Sequence, residues 1–77
     1  MRVLIVEDDA WLARNLSKGL HEENHLPSVA SDGQEALDLL SLYEFDVMIL
    51  DVMLPKIDGF EVARRLRAKN CQVPILF

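Results

Sequence analysis

Short apolar runs alternate with amphipathic segments of helical spacing along the whole chain, and that order leaves few folds open. Residues 2–6 form a β-branched apolar run stopped by Glu7-Asp8-Asp9, the pattern of a buried strand that ends in an acidic turn. From residue 10 to about residue 22, Leu12, Leu16 and Leu20 recur every four positions, with Arg14, Asn15, Lys18 and His21 off that face. This predicts a helix with Asp9 as its N-cap. Residues 27–31 predict a weaker strand. Asp32-Gly33-Gln34-Glu35 then sets a capping Asp three residues ahead of a Glu and opens a second helix to about residue 43. Val47-Met48-Ile49-Leu50 predicts a third strand running into Asp51, and Asp58-Gly59-Phe60-Glu61 repeats the capping pattern ahead of a third helix to residue 68 or 69. Residues 73–77 predict a fourth strand, with Pro74 tolerated near its start.

Strands that are apolar throughout belong to a parallel sheet covered by helices, so the order βαβαβαβ predicts an α/β fold with a doubly wound parallel sheet. The expected strand order is 2-1-3-4. With 77 residues, 51% hydrophobic and 27% charged, residues 1–77 make one folded unit and no more. In this order strands one and three are neighbours, and their carboxyl ends flank the crevice where open α/β sheets bind ligands. Right-handed crossovers place helix one alone on one face and helices two and three on the other. Part of the sheet is then uncovered and strand four is an apolar edge, which predicts self-association through that edge and face.

The strand ends at the crevice carry Glu7, Asp8 and Asp51. Acids commonly end strands because those positions are exposed, but three on adjacent strand ends repel one another unless a cation neutralises them. An all-oxygen acidic site suits Mg²⁺, and a carboxylate beside the metal can attack a phosphoryl group. Asp51, at the tip of the apolar third strand, is the candidate nucleophile. Asp9, Asp32 and Asp58 read as helix caps. His21 and His25 flank the end of helix one, where surface or capping roles are expected, and Arg64, Arg65, Arg67 and Lys69 read as a solvated face of helix three. Trp11 begins helix one just past Asp9 and could report on the site.

Thirteen acidic against eight basic side chains give a net charge of −5, which excludes the basic footprint of direct nucleic-acid binding by this segment. No apolar run is long enough for a membrane span, the single Cys71 cannot form an internal disulfide, and the first residues lack a signal-peptide layout, so a cytoplasmic location is expected. Gly19, Gly33 and Gly59 build no glycine-rich strand-to-helix turn, which removes a dinucleotide-binding module.

The segments 2–9, 32–37 and 46–61 together resemble the receiver domain of two-component response regulators, a CheY-like fold, over the whole chain. The stretch Asp46-Val-Met-Ile-Leu-Asp-Val-Met-Leu-Pro-Lys-Ile-Asp-Gly-Phe-Glu61 is the most specific. The resemblance implies Asp51 as phosphoacceptor for a sensor histidine kinase. It also implies Mg²⁺ held by Glu7, Asp8, Asp51 and the backbone carbonyl of Met53, with Asp8 direct and Glu7 through water. Glu7-Asp8-Asp9 and Met53-Leu54-Pro55 look most like the OmpR/PhoB-type subgroup of transcription regulators, whose DNA binding lies in a C-terminal domain not present in these residues. Such a domain is a signalling module, not an enzyme. Family members continue with a Thr or Ser ending strand four, a fifth strand ending in Lys and two more helices. This sequence has no Thr, and Lys18, Lys56 and Lys69 occupy helix or loop positions. The expectation is a receiver truncated after strand four and impaired in switching. A metal-dependent phosphohydrolase is the enzyme alternative, but the position two residues past Asp51, where a general acid is needed, holds Met53. An inert self-associating fragment is the other.

Overall fold

The structure, a computed structural model, describes all residues 1–77. Its elements are β1 (Arg2–Val6), α1 (Ala10–Glu22), β2 (Leu26–Ala30), α2 (Gly33–Leu42), β3 (Val47–Leu50), α3 (Gly59–Ala68) and β4 (Ile75–Leu76). All pairings are parallel and the sheet order is β2-β1-β3-β4, the order expected from the alternation of elements. Two boundaries differ from that reading. β2 begins at Leu26 and ends at Ala30 because its ladder is set by β1, with Leu26 opposite Arg2 and Ala30 opposite Val6. β4 shrinks to two residues, with Ile75 opposite Met48 and Leu76 opposite Ile49. Pro74 cannot donate to a ladder, and only its carbonyl contributes, accepting from Met48 N–H at 2.9 Å.

Each helix starts where a side chain satisfies its free amides. Asp9 Oδ1 accepts from Trp11 and Leu12 N–H, Asp32 Oδ1 from Glu35 N–H at 2.8 Å, and Asp58 Oδ1 from Glu61 N–H at 2.9 Å. The reciprocal half of the expected capping box does not form at Asp58. Glu61 turns forward to Arg64 and Arg65 at 2.6 and 2.9 Å, and their guanidinium groups lower its carboxyl to a pKa of about 2. The ends of α1 and α3 share one device. Asn24 and Asn70 adopt φ of 66° and 61°, and the amides that follow, His25 and Cys71, return to the carbonyls of Leu20 and Leu66, both at 3.0 Å. Asparagine tolerates this left-handed turn, which closes the last carbonyls of each helix. The basic residues of α3 are not all a solvated face. Arg67 donates to the carbonyls of Cys71 and Val73 at 2.7 and 3.0 Å and pins the connection into β4.

The core is asymmetric across the sheet. Leu4, Val6, Met48 and Leu50 point to one side and are fully buried against Ala36, Leu37, Val62 and Leu66 of α2 and α3. On the other side α1 covers only part of the sheet. It packs on β2 and β1, and its one buried residue is Ala13. The predicted stripe of Leu12, Leu16 and Leu20 lies at the rim of this contact, with Leu12 exposed and Leu16 and Leu20 half-buried. Val47 and Ile49 of β3, which follow Val3 and Ile5 in register, remain half-buried, and Leu76 is 61% exposed.

The difference between the faces is measurable. Leu50→Ala should cost about 3 kcal/mol in chemical denaturation and Ile49→Ala about half that, because only the first leaves a cavity under two helices. Equal losses would mean that the α1 side is as closed as the other.

Candidate functional site

The parallel ladder continues one residue beyond the strands and sets the site. Glu7 N–H donates to Ala30 O at 3.0 Å, and Asp51 N–H donates to Val6 O at 3.1 Å. These two bonds hold Glu7 at the end of β1 and Asp51 at the end of the adjacent β3. Carboxylate oxygens of Glu7, Asp8 and Asp51 consequently lie within 4.8 Å of one another. Glu7 and Asp51 are half-buried and Asp8 is exposed.

Local hydrogen bonds orient the cluster. Glu7 Oε2 accepts from Asp9 N–H at 3.1 Å while the Asp9 side chain caps α1. Asp51 Oδ1 accepts from Met53 N–H at 3.0 Å, so one oxygen of this carboxylate is engaged by the backbone of the following turn. Met53 meets the site through this amide, and its side chain is 84% exposed. The third helix is fitted tightly behind Asp51. Gly59 N–H donates to Val52 O at 2.9 Å, and a Cβ on Gly59 would come within 2.6 Å of Asp51 O and 2.8 Å of Val52 Cα. No positive φ occurs at any glycine, so Gly59 is required for space and not for conformation.

The electrostatics match the geometry. Burial pushes the Glu7 carboxyl above its ordinary value, the Asp9 amide opposes this, and the charges of Asp51 and Asp8 add to the rise. None of the three acids has a Lys, Arg or His ion-pair partner. Lys56, in the loop after β3, pairs with Asp32 at 3.3 Å, and Lys18 and Lys69 lie in α1 and at the C-cap of α3. Three oxygen donors with no protein cation among them fit a hard divalent ion such as Mg²⁺. His25 lies at the opposite end of the strands, its Nδ1 3.1 Å from the amino terminus, and His21 is exposed on the last turn of α1. Neither joins the site. Trp11, 68% exposed, sits two residues past Asp9 with its amide bonded to Asp9 Oδ1 at 3.0 Å.

Comparison with known proteins decides what this arrangement belongs to. The family model of the response regulator receiver domain matches residues 3–77. The chain belongs to that family. Among curated relatives, the response regulator MprA of Mycolicibacterium vanbaalenii is 41% identical over 76 residues, covering 99% of this chain and 33% of the relative. The transcriptional regulatory protein TcrA of Mycobacterium tuberculosis is also 41% identical over 76 residues, with 30% of its length covered. The chain thus spans about a third of the curated relatives it matches. Among solved structures, a Francisella response regulator receiver domain superposes with a TM-score of 0.93 at 34% identity, covering 96% of this chain and 61% of that one. The response regulator TrrA of Thermotoga maritima, solved in complex with Mg²⁺ and BeF, gives 0.89 at 35% identity, covering 96% and 64%. The receiver is a signalling domain, and no helix of this chain is long and apolar enough to cross a membrane.

Sequence reasoning missed the Met53 amide and the Gly59 contact. The pairing of Gly59 with a capping Asp was a visible signal for a close helix approach, whereas the amide direction follows only from the turn after β3. Gly59→Ala should destabilise the receiver by about 2 kcal/mol, since the added methyl meets backbone on both sides. In amide NMR spectra the largest shifts should fall on Asp51, Val52 and Met53. Unchanged stability would show that the contact has slack.

Proposed function

We propose that this chain is a Mg²⁺-dependent phosphoacceptor, taking a phosphoryl group on Asp51 from a phosphohistidine of a sensor histidine kinase. The observation that carries this reading is the convergence of Glu7, Asp8 and Asp51 within 4.8 Å, with no protein cation between them, at the strand ends of a receiver fold. Glu7, Asp8, Asp51 and the carbonyl of Met53 would hold the metal. When bound, it neutralises the charge that the acceptor carboxylate and the phosphoryl oxygens would otherwise share. The Met53 amide fixes Oδ1 and leaves Oδ2 of Asp51 as the attacking atom. Its lone pair forms the new O–P bond as the P–N bond to the donor imidazole breaks, and the imidazole leaves with the bonding pair. Asp51 is only half-buried and its neighbour Asp8 is exposed, which supports access of a donor to the cluster.

The same reading assigns output to parts of the whole protein outside these residues, with DNA binding by a further domain and none by this acidic segment. It also includes self-association through the β4 edge and the face bearing Val47, Ile49 and Leu76. Sedimentation should show a concentration-dependent dimer at micromolar protein, and a monomer throughout would remove that part of the reading.

Phosphotransfer is tested with a small acyl phosphate and Mg²⁺, followed by intact-mass and peptide mass spectrometry. One phosphoryl adduct on Asp51 is expected. It should be absent in Asp51→Asn, and its rate of formation should fall about a hundredfold or more in Asp8→Asn. Saturable quenching or enhancement of Trp11 fluorescence by Mg²⁺, lost in Asp8→Asn, is the parallel readout. An adduct elsewhere, or none at saturating Mg²⁺, overturns phosphoacceptance, and turnover of phosphate monoesters points to a hydrolase.

A further inference from the structure

A second surface is built away from the carboxylates, between α1 and the outer edge of β2. It is an open groove of about 540 Å³ whose walls include Arg14, Lys18 and His21 on one side and Leu26, Pro27 and Val29 on the other. The three basic residues stand at i, i+4 and i+7 and form one stripe of α1. Val29 is 39% exposed and Pro27 half-buried, both on the sheet face that α1 packs against, whereas Leu26 alternates to the opposite face with Ala30. The groove starts at the amino end of the strands, since Leu26 is opposite Arg2, whereas the acids follow Val6 at the other end.

The charges of this groove are unsatisfied within the chain. Arg64 and Arg65 bind Glu61, Lys56 binds Asp32, Arg67 binds two carbonyls and Arg2 lies over the rings of Tyr43 and Phe45. Arg14 and Lys18 make neither ion pair nor hydrogen bond, although acidic residues outnumber basic ones by thirteen to eight. Glu22, one turn beyond Lys18, does not reach it, and a Lys placed before a Glu is the weaker order for such a pair. Two free cations therefore flank an exposed apolar strip on a chain of net charge −5.

The backbone narrows the manner of binding. Leu26 N–H donates to Met1 O and Ala30 O accepts from Glu7 N–H, so these residues turn their polar groups toward β1. In a parallel strand the alternate residues, Pro27 and Val29, turn theirs outward. Pro27 has no N–H to offer, which blunts the edge against an added strand. A partner must bind by side chains. A nucleic acid is disfavoured by the overall negative charge, and a small anion leaves the apolar strip uncovered.

We propose that this groove docks an acidic, apolar-faced segment of a partner protein, with carboxylates on Arg14 and Lys18 and an aliphatic side chain against Pro27 and Val29. Charge complementarity selects the occupant, and its position leaves Asp51 accessible while the segment is bound.

The test titrates the ¹⁵N-labelled chain with a short helix-forming peptide carrying glutamate on one face and leucine on the other. Amide shifts should concentrate on Arg14, Lys18, His21, Leu26 and Val29. Affinity should fall about tenfold in Arg14→Glu/Lys18→Glu and weaken with added salt. Both residues are exposed, so the variant should fold, and Arg14→Gln/Lys18→Gln gives an intermediate loss. The same peptide with lysine for glutamate should not bind. Shifts centred elsewhere, equal affinity in the charge-reversed variant, no shifts at millimolar peptide, or preferential binding of a DNA oligonucleotide to the same residues would each overturn the proposal.

Discussion

Everything at the candidate site depends on the in-register parallel pairing of β1 with β3. Residues far apart in sequence are brought side by side by the bond from Asp51 N–H to Val6 O, which extends the β1–β3 ladder, while Glu7 N–H to Ala30 O ties the end of β1 to β2 on its other side. Pairing is enforced by burial, because Leu4, Val6, Met48 and Leu50 all face α2 and α3, and a slip by one residue would turn them to the opposite side. The core thus holds together three negative charges that would separate in water. Burying the strands contributes the stabilisation, and the acid cluster is carried at its margin as a local opposing cost.

Much of this was legible from residue order. The apolar strands with amphipathic segments between them were enough for the sheet order, and the acids at strand ends for the cluster, since both follow from periodicity and handedness. Asp9, Asp32 and Asp58 each cap the helix that their position suggested. Less legible were contacts set by directions within turns. The Glu61 carboxylate had two possible partners, the amide behind it or the arginines ahead, and two guanidinium groups outweigh one backbone amide. Arg67 looked like part of a solvated face, yet the connection after α3 bends back within its reach. The left-handed turns at Asn24 and Asn70 were present in sequence as asparagines following helical segments, a signal weaker than glycine would have given.

The helices divide their labour unequally. α2 and α3 pack on each other and on one side of the sheet, and Gly33 permits that fit, since a Cβ there would meet Val62 Cγ2 at 2.6 Å. α1 covers the other side through Ala13 alone among fully buried residues. Its outer surface combines apolar residues, Trp11 and Leu12, near the acids with cations further along, Arg14 and Lys18, beside β2. One helix therefore presents chemically different surfaces at its two ends, and the shallow packing beneath it leaves both available to other molecules.

The seat of α3 on the end of β3 has a mechanical meaning. With Gly59 against the Asp51–Val52 peptide and bonded to the Val52 carbonyl, there is no compressible gap between Asp51 and the first turn of the helix. A shift of the Asp51 backbone of a few tenths of an ångström meets a wall, and the whole helix must travel with it. Strand tip and helix behave as a single rigid lever, with its short arm at the acids and its long arm at the far end of α3.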